Sequence, residues 1–149
     1  MVETNDRRLP VGIQSFEEIR KNGYLYVDKT DIIWQLANKG KTYNYLIRPR
    51  RFGKSVLVDT LEAYFMGKKE LFEGLKIMQM ETEWVKRPVI RLDMSRAGAE
   101  PETLRSYLNN IFKQYEEEYS LAPDPTDSLA DRFNAIIVGA YEQTGQQVA

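Results

Sequence analysis

The sequence contains no cysteine and no histidine in its 149 residues. Thiolate and imidazole metal sites, cysteine nucleophiles and catalytic triads that need imidazole are therefore excluded for this chain. Disulfides are excluded as well, which is typical of a cytoplasmic protein. No apolar run approaches the about 20 residues of a membrane span, and the first residues carry no apolar signal-peptide core. We therefore expect a cytoplasmic chain with no membrane partner.

Acidic residues are missing from one long stretch of the chain. Residues 32–58, which we call the basic segment, contain no Asp or Glu and six basic residues, so their net charge is +6. The whole chain has a net charge of −1, so the rest of it carries −7. The basic segment indicates a compact anion-binding site. The alternative is a basic surface face that pairs with acidic residues from elsewhere in the fold.

The remaining composition, with 42% hydrophobic and 29% charged residues, is typical of one globular domain with a packed core. Apolar residues at helical spacing, together with capping signals, predict helices over residues 15–22, 29–38, 54–66, 101–119 and 129–145. Short runs of β-forming residues predict an extended run at 24–27 and strands at 43–47 and 88–93.

Alternation of strands and helices predicts an α/β fold with a parallel sheet. Two core strands make a poor parallel sheet, because such sheets bury both faces. We therefore expect the sheet to be incomplete in this chain and the chain to be the N-terminal piece of a longer protein.

The loop before the predicted helix at 54–66 carries part of a phosphate-binding motif. That motif is a glycine, four residues and Gly-Lys-Ser/Thr, placed between a strand and a helix. Gly53, Lys54 and Ser55 match its second half, and Arg48 stands where the first glycine belongs. Helix-start amides and the helix dipole favour an anion there, Lys54 would reach the β- and γ-phosphates, and Ser55 would offer its hydroxyl to Mg²⁺. A basic turn paired with surface carboxylates is the alternative.

The block RPRRFGKS at residues 48–55 resembles the modified Walker A motif of the bacterial AAA-ATPase-like family, and similarity to that family extends over about residues 9–145. The resemblance implies a P-loop NTPase-like three-layer sandwich with a parallel sheet, and it implies ATP and Mg²⁺ as cofactors. It also implies that an arginine in place of the first glycine is normal for the family. The nucleotide-binding residues that it implies are Arg48, Pro49, Arg50, Arg51, Phe52, Gly53, Lys54, Ser55 and Val56, with Ser55 as the Mg²⁺ ligand.

Family members continue with a strand that ends in adjacent acids, the Walker B element, and many carry a C-terminal nuclease-like domain. Residues 1–14 are predicted from their composition to be a polar lead, and the resemblance implies that 15–149 are the N-terminal part of an ATPase domain, ending before Walker B. A nuclease-like remainder of the parent chain would be a partner. We expect the parent to be an ATPase and these residues alone to bind nucleotide without hydrolysing it. The catalytic residues stay unassigned.

Two further functions remain open. One is a non-catalytic module whose arginines bind nucleic-acid phosphates, with Tyr43, Tyr45 and Phe52 as candidate stacking residues. The other is a structural domain whose loop binds nothing. Arg50 and Arg51 are adjacent, so we expect their side chains to diverge and not to serve one phosphate site together.

Acidic residues at three places outside the loop are predicted to have structural roles. Asp93 could bind Mg²⁺, but we favour a cap or turn acceptor. Asp28 is predicted to cap a helix, with Lys29 or Thr30 facing the nucleotide as the alternative. Residues 116–118, three consecutive glutamates, are predicted to be a solvated helix end, because consecutive residues do not share a helix face.

Overall fold

The computed structural model describes residues 8–39, 43–47, 49 and 52–149. They contain five α-helices, which are α1 (Phe16–Lys21), α2 (Thr30–Lys39), α3 (Lys54–Phe65), α4 (Pro101–Glu118) and α5 (Leu129–Thr144). Short 3₁₀ helices lie at Lys69–Phe72, Lys76–Gln79 and Met94–Arg96. The chain divides into two compact units, Met1–Lys86 and Arg87–Ala149, called here the first and second unit.

The helix predictions are confirmed, and the predicted capping residues explain the helix boundaries. The Ser15 hydroxyl accepts the Glu18 amide at 3.3 Å and begins α1. Ser128 and Asp131 form a capping box that begins α5. Gly145 ends α5 with φ at 66°, a left-handed conformation in which a helix commonly stops.

The predicted α/β fold is wrong, because the described residues contain helices and no β-strand. The P-loop NTPase-like three-layer sandwich with a parallel sheet is therefore also wrong for this part of the chain. A strand exists only where its backbone pairs with a neighbour, and propensity alone does not supply that neighbour. In the predicted strand at 43–47, Tyr43 and Tyr45 are each 91% exposed. In the extended run at 24–27, the amide of Leu25 donates to the carbonyl of Arg8 at 2.9 Å, and the described residues form no strand there.

In the second predicted strand, 88–93, tyrosine hydroxyls accept hydrogen bonds from the backbone amides. The amide of Arg91 donates to the Tyr115 hydroxyl at 2.9 Å, and the amide of Asp93 donates to the Tyr107 hydroxyl at 2.9 Å. Both tyrosines belong to α4, so this segment is held by a helix on the side where a sheet partner would pair. The segment also bonds to the last residue of the chain. The Ile90 amide donates to the Ala149 carbonyl at 2.9 Å, and the Ala149 amide donates to the Pro88 carbonyl at 2.9 Å.

The core of the first unit forms where α1, α2 and α3 meet the two 3₁₀ helices that follow. Phe16, Ile33, Phe72 and Ile77 are fully buried there. The Phe16 ring lies 4.9 Å from the Phe72 ring and 5.1 Å from the Tyr26 ring, centroid to centroid. These aromatic contacts fix α1 against the segment that leads into α2.

An acidic side chain of α1 is held by two lysines on the surface of this core. Lys21 donates to Glu17 at 2.5 Å and Lys68 donates to its other oxygen at 2.8 Å. The hydrogen bond from Lys21, and then the one from Lys68, lowers the pKa of Glu17 from its usual 4.5 to about 2.

The second unit packs α4 against α5 through a stacked aromatic pair and a buried ion pair. The Phe112 and Phe133 rings stack at 5.5 Å. The Arg132 guanidinium donates to both carboxylate oxygens of Glu116, at 2.7 and 2.8 Å, and to Asn109 at 2.6 Å. Glu116 is only 5% exposed, so the predicted solvated helix end is wrong at this residue. The basic partner lies 16 residues further along the chain, where helical spacing gives no hint of it.

Candidate functional site

The start of α3 depends on a glycine in the left-handed conformation. Gly53 is the N-cap residue, with φ at 71° and ψ at 20°, and its carbonyl accepts the Leu57 amide at 3.0 Å. A Cβ added at Gly53 would meet no atom of the described residues within 4 Å, so the glycine is needed here for its backbone conformation. This turn leads the chain from Phe52 directly into α3.

The first turn of α3 is suited to an anion. Gly53 has no side chain with which to cap the first amides, and this turn holds no acidic residue. Each of the other four described α-helices has at least one Asp or Glu in its first turn. Helix-start amides and the helix dipole attract negative charge, and in α3 the exposed side chains of Lys54 and Ser55 stand beside them.

The structure describes six of the nine predicted loop residues. Arg48, Arg50 and Arg51 lie outside the described residues, so their predicted roles stay predictions. Pro49 lies in an exposed, irregular part of the loop, and Phe52 is 63% exposed. The other four described positions are Gly53, Lys54, Ser55 and Val56, at the N-terminal end of α3.

A cavity of about 370 Å³ opens beside this helix start, entirely within the first unit. Phe52 and Gly53, which precede α3, form one wall together with Val56 and Leu57 of α3. The other walls come from the turn at 9–13, the extended segment at 24–27 and the beginning of α2, with Ile19 of α1 completing the lining. No motif or spacing in the sequence predicts this cavity. Its only signal was that Leu9, Ile13, Leu25 and Val27 are apolar although they lie outside the helices.

Hydrogen bonds behind the cavity hold α3 in place. The carboxylate of Asp59 accepts the Phe16 amide at 2.7 Å, which joins α3 to the start of α1. The fully buried Thr60 hydroxyl donates to the Val56 carbonyl at 2.7 Å and lies 3.4 Å from the Tyr26 hydroxyl. Burial raises the pKa of Tyr26, so this lining residue keeps its proton. The wall of the cavity is therefore fixed by contacts beyond its own surface.

The two residues proposed as alternatives at the start of α2 behave differently. Lys29 lines the cavity, as a nucleotide-facing residue would. Thr30 is fully buried, and its hydroxyl donates to Asp28 at 2.7 Å and accepts the Ile77 amide at 3.1 Å. Thr30 is therefore a structural residue.

Asp28 caps α2, as predicted. One of its carboxylate oxygens accepts the Thr30 amide at 2.9 Å, and the other accepts the Lys76 amide at 2.8 Å. Burial raises the pKa of Asp28, but the hydrogen bonds from Thr30 and Lys76 outweigh burial and lower it below its ordinary value.

Asp93 acts as a turn acceptor in the second unit. Its carboxylate accepts the Ser95 amide at 3.1 Å and begins the 3₁₀ helix Met94–Arg96, and Arg96 lies 3.6 Å away. Hydrogen bonds from Ser95 lower the pKa of Asp93. In the part of the chain that the structure describes, no group of three or more Asp or Glu side chains could hold a metal ion. Nor is any helix in that part long and apolar enough to cross a membrane.

Comparison with known proteins gives one family. The family described as "Predicted AAA-ATPase" matches residues 10–149. The chain is also 35% identical, over 145 residues, to a protein of Azotobacter chroococcum mcd 1 described as "Uncharacterized protein in vnfD 5'region". The matched region covers 95% of this chain and 28% of that protein. No solved structure matches the chain.

Proposed function

The chain belongs to the predicted AAA-ATPase family, and we propose that it binds the phosphates of ATP, together with Mg²⁺, at the start of α3. The observation that carries the proposal is the conformation of Gly53-Lys54-Ser55. A left-handed glycine leads into a helix whose first turn has no acid and whose lysine and serine are exposed. That arrangement fits a phosphate group, because backbone amides can approach it closely and the first turn itself holds no carboxylate that would repel it.

Each residue of the proposed site has a separate role. Lys54 contacts the β- and γ-phosphates as a positive charge, and Ser55 offers its hydroxyl to the metal ion. The amides of Gly53 and Val56 contribute to binding without any side-chain chemistry. Bound Mg²⁺ neutralises phosphate charge. The basic residues Arg48, Arg50 and Arg51, with Pro49 and Phe52, complete the loop, and we expect only one of the adjacent pair Arg50 and Arg51 to contact the phosphates.

We further propose that residues 15–149 are the N-terminal part of a longer ATPase in the cytoplasm. The support is that the Azotobacter protein extends far beyond the matched region. In this proposal the metal site is completed by an acid outside the 149 residues, and a nuclease-like remainder is the partner. The 149-residue chain should therefore bind ATP without turning it over. Lys54-dependent steady-state hydrolysis by this chain would contradict the proposal.

Calorimetric titration of Mg²⁺–ATP into the wild-type chain and into Lys54→Ala tests the binding proposal. Loss of a charge-assisted contact should weaken binding by about 1–3 kcal/mol. Lys39→Ala is the matched control, because Lys39 also belongs to the basic segment but lies in the last turn of α2. That variant should bind like wild type. Equal affinity of wild type and folded Lys54→Ala would refute the assignment.

Nucleic-acid binding remains a second candidate because of one observation. The side chains of Tyr43 and Tyr45, which precede the basic loop, are each 91% exposed, and exposed aromatics beside arginines can stack on bases. In this alternative, affinity for single-stranded DNA should fall steeply with salt concentration and should drop in Tyr45→Ala. Salt-independent or undetectable DNA binding would remove this candidate.

A further inference from the structure

A second cavity lies within the second unit and is lined by α4, by the loop that follows α4 and by Arg132 of α5. Its volume of about 490 Å³ falls within the roughly 300–1,000 Å³ typical of small-molecule sites. The lining is mostly polar, so we call it the polar cavity. Lys113 and Arg132 contribute two positive charges and Glu116 and Glu117 two negative ones, which leaves the lining without net charge.

The least exposed part of this lining is a group of hydrogen-bond donors. The side chains of Arg132 and Glu116 are only 16% and 7% exposed. Arg132 uses three of its five N–H groups, two for Glu116 and one for the Asn109 carbonyl oxygen, and no described residue accepts the other two. The side-chain amide nitrogen of Asn109 likewise has no acceptor among the described residues. These donors favour a carboxylate, because a charged acceptor forms the stronger hydrogen bonds.

The most exposed part of the lining presents two opposite charges side by side. Lys113 and Glu117 are one helical turn apart on α4, with 3.9 Å between the ammonium nitrogen and the carboxylate oxygen. Their side chains are 73% and 70% exposed, so the pair itself adds little stability and both groups are accessible to a ligand. An α-amino acid carries a carboxylate and an ammonium group on one carbon atom, and its two charges match this pair.

The loop after α4 gives the polar cavity an apolar side, formed by Leu121 and Pro123. Leu121 is held by both helices. Its amide donates to the Glu116 carbonyl at 2.8 Å, and a Cβ added at Gly139 of α5 would lie 2.7 Å from its Cδ2 atom. This fixed apolar side can pack against an aliphatic side chain of the ligand.

We propose that the polar cavity binds a free α-amino acid with an aliphatic side chain, in its zwitterionic form. The ligand carboxylate accepts hydrogen bonds from Arg132 and Asn109 and pairs with Lys113. The ligand ammonium group pairs with Glu117, and the side chain packs against Leu121. The inference is independent of the proposed function, because the polar cavity belongs to the second unit and the proposed phosphate site to the first.

NMR titration of the labelled chain with L-leucine tests this inference. The side-chain amide signals of Asn109 and Asn110, which both line the polar cavity, should shift in a saturable manner. N-acetyl-L-leucine lacks the ammonium group and should bind about two- to fivefold more weakly, the effect of an exposed ion pair. L-leucinamide lacks the carboxylate and should bind at least about tenfold more weakly, because several charge-assisted hydrogen bonds are lost. Glycine, which has no side chain to pack on Leu121, should also bind more weakly than L-leucine.

Two variants remove one exposed charge each. Glu117→Gln should weaken L-leucine about two- to fivefold without weakening N-acetyl-L-leucine, which has no ammonium group to lose. Lys113→Gln should weaken L-leucine by a similar factor without weakening L-leucinamide. Glu118→Gln and Arg105→Gln are matched controls, since both residues lie on α4 outside the lining, and they should bind L-leucine like wild type. Circular dichroism establishes that each variant is folded.

Each part of the inference has its own contrary result. If L-leucine causes no saturable shift at Asn109 and Asn110, or binds equally in both folded charge variants, the site is refuted. N-acetyl-L-leucine that binds as tightly as L-leucine refutes a free amino acid as the ligand, since the last residue of a peptide would then serve equally well. Equal affinity for L-leucinamide refutes the carboxylate contacts, and equal affinity for glycine refutes the apolar side.

Discussion

Replacement of Gly53 by alanine separates the backbone requirement at the start of α3 from every other feature of the loop. The residue has φ at 71°, and an added Cβ would meet no atom of the described part of the chain within 4 Å, so the substitution introduces no collision there. Its cost is conformational: holding an L-residue in the left-handed region costs about 1–2 kcal/mol. We therefore expect Gly53→Ala to destabilise the first unit by about 1–2 kcal/mol.

Urea unfolding followed by tryptophan fluorescence measures this loss, because both tryptophans of the chain, Trp34 and Trp84, lie in the first unit. Gly23→Ala is the matched control. Gly23 follows α1 with φ at 67°, and a Cβ there would also lie more than 4 Å from its neighbours among the described residues. The two variants should lose similar stability, since the same conformational cost applies to both.

Their affinities for Mg²⁺–ATP should differ. An alanine that relaxes from the left-handed region turns the first amides of α3 away from the phosphates, and loss of one charge-assisted hydrogen bond costs about 1.5–3 kcal/mol. Gly53→Ala should therefore bind at least about tenfold more weakly than Gly23→Ala. Unchanged stability of Gly53→Ala would refute the backbone argument, and wild-type affinity in a destabilised Gly53→Ala would refute the role of this turn in binding.

Three further predictions concern contacts that lie inside one unit, two in the first unit and one in the second. Asp59→Ala removes the acceptor of the Phe16 amide, a contact of 2.7 Å. It should destabilise the first unit by about 1–3 kcal/mol in urea unfolding followed by tryptophan fluorescence. An unchanged unfolding curve would show that this hydrogen bond is dispensable. Arg132→Met leaves the buried carboxylate of Glu116 without its 2.7 Å partner and should cost about 3–5 kcal/mol by circular dichroism. The loss should be smaller when Glu116→Leu is added, and a double-variant loss equal to the sum of the two single-variant losses would mean that the pair is not coupled. Glu17 has a folded pKa of about 2 against its usual 4.5, so its contribution to stability is complete above the unfolded pKa and disappears as pH falls through the folded pKa. As pH falls from about 4.5 to about 2, the urea midpoint should therefore fall more in wild type than in Glu17→Gln. Parallel pH profiles of the two proteins would contradict the lowered pKa of Glu17.

The helices were predictable because their signals are local. A capping residue, the residues three and four positions apart and a terminal glycine all lie within one short stretch of sequence. Ser15, Ser128 and Gly145 behaved as those signals indicate. The loop motif was local for the same reason, and Gly53 lies at a helix start in the left-handed conformation that only glycine adopts easily.

The sheet was not predictable from local signals, because a strand depends on a partner that the segment itself does not encode. Residues 43–47 have the composition of a strand, yet their tyrosines are exposed. Residues 88–93 are extended, but hydroxyls of Tyr107 and Tyr115 accept two of their amides. Glu116 was misjudged in the same way, since its partner Arg132 lies on another helix. The cavity beside α3 was not predictable, because its lining comes from five separate segments of the chain.

Amide NMR spectra of the labelled 149-residue chain, recorded while Mg²⁺–ATP is added, test the central claim most directly. Anion binding at the start of α3 should move the amide signals of Gly53, Lys54, Ser55 and Val56 most, in a saturable manner. The start of α5 is an internal control, because its capping box already occupies the amide of Asp131. Saturable changes centred on Gly53–Val56 and absent in Lys54→Ala are the predicted result. Changes centred elsewhere, or no saturable change at these four amides, would contradict the claim that this helix start binds nucleotide phosphates.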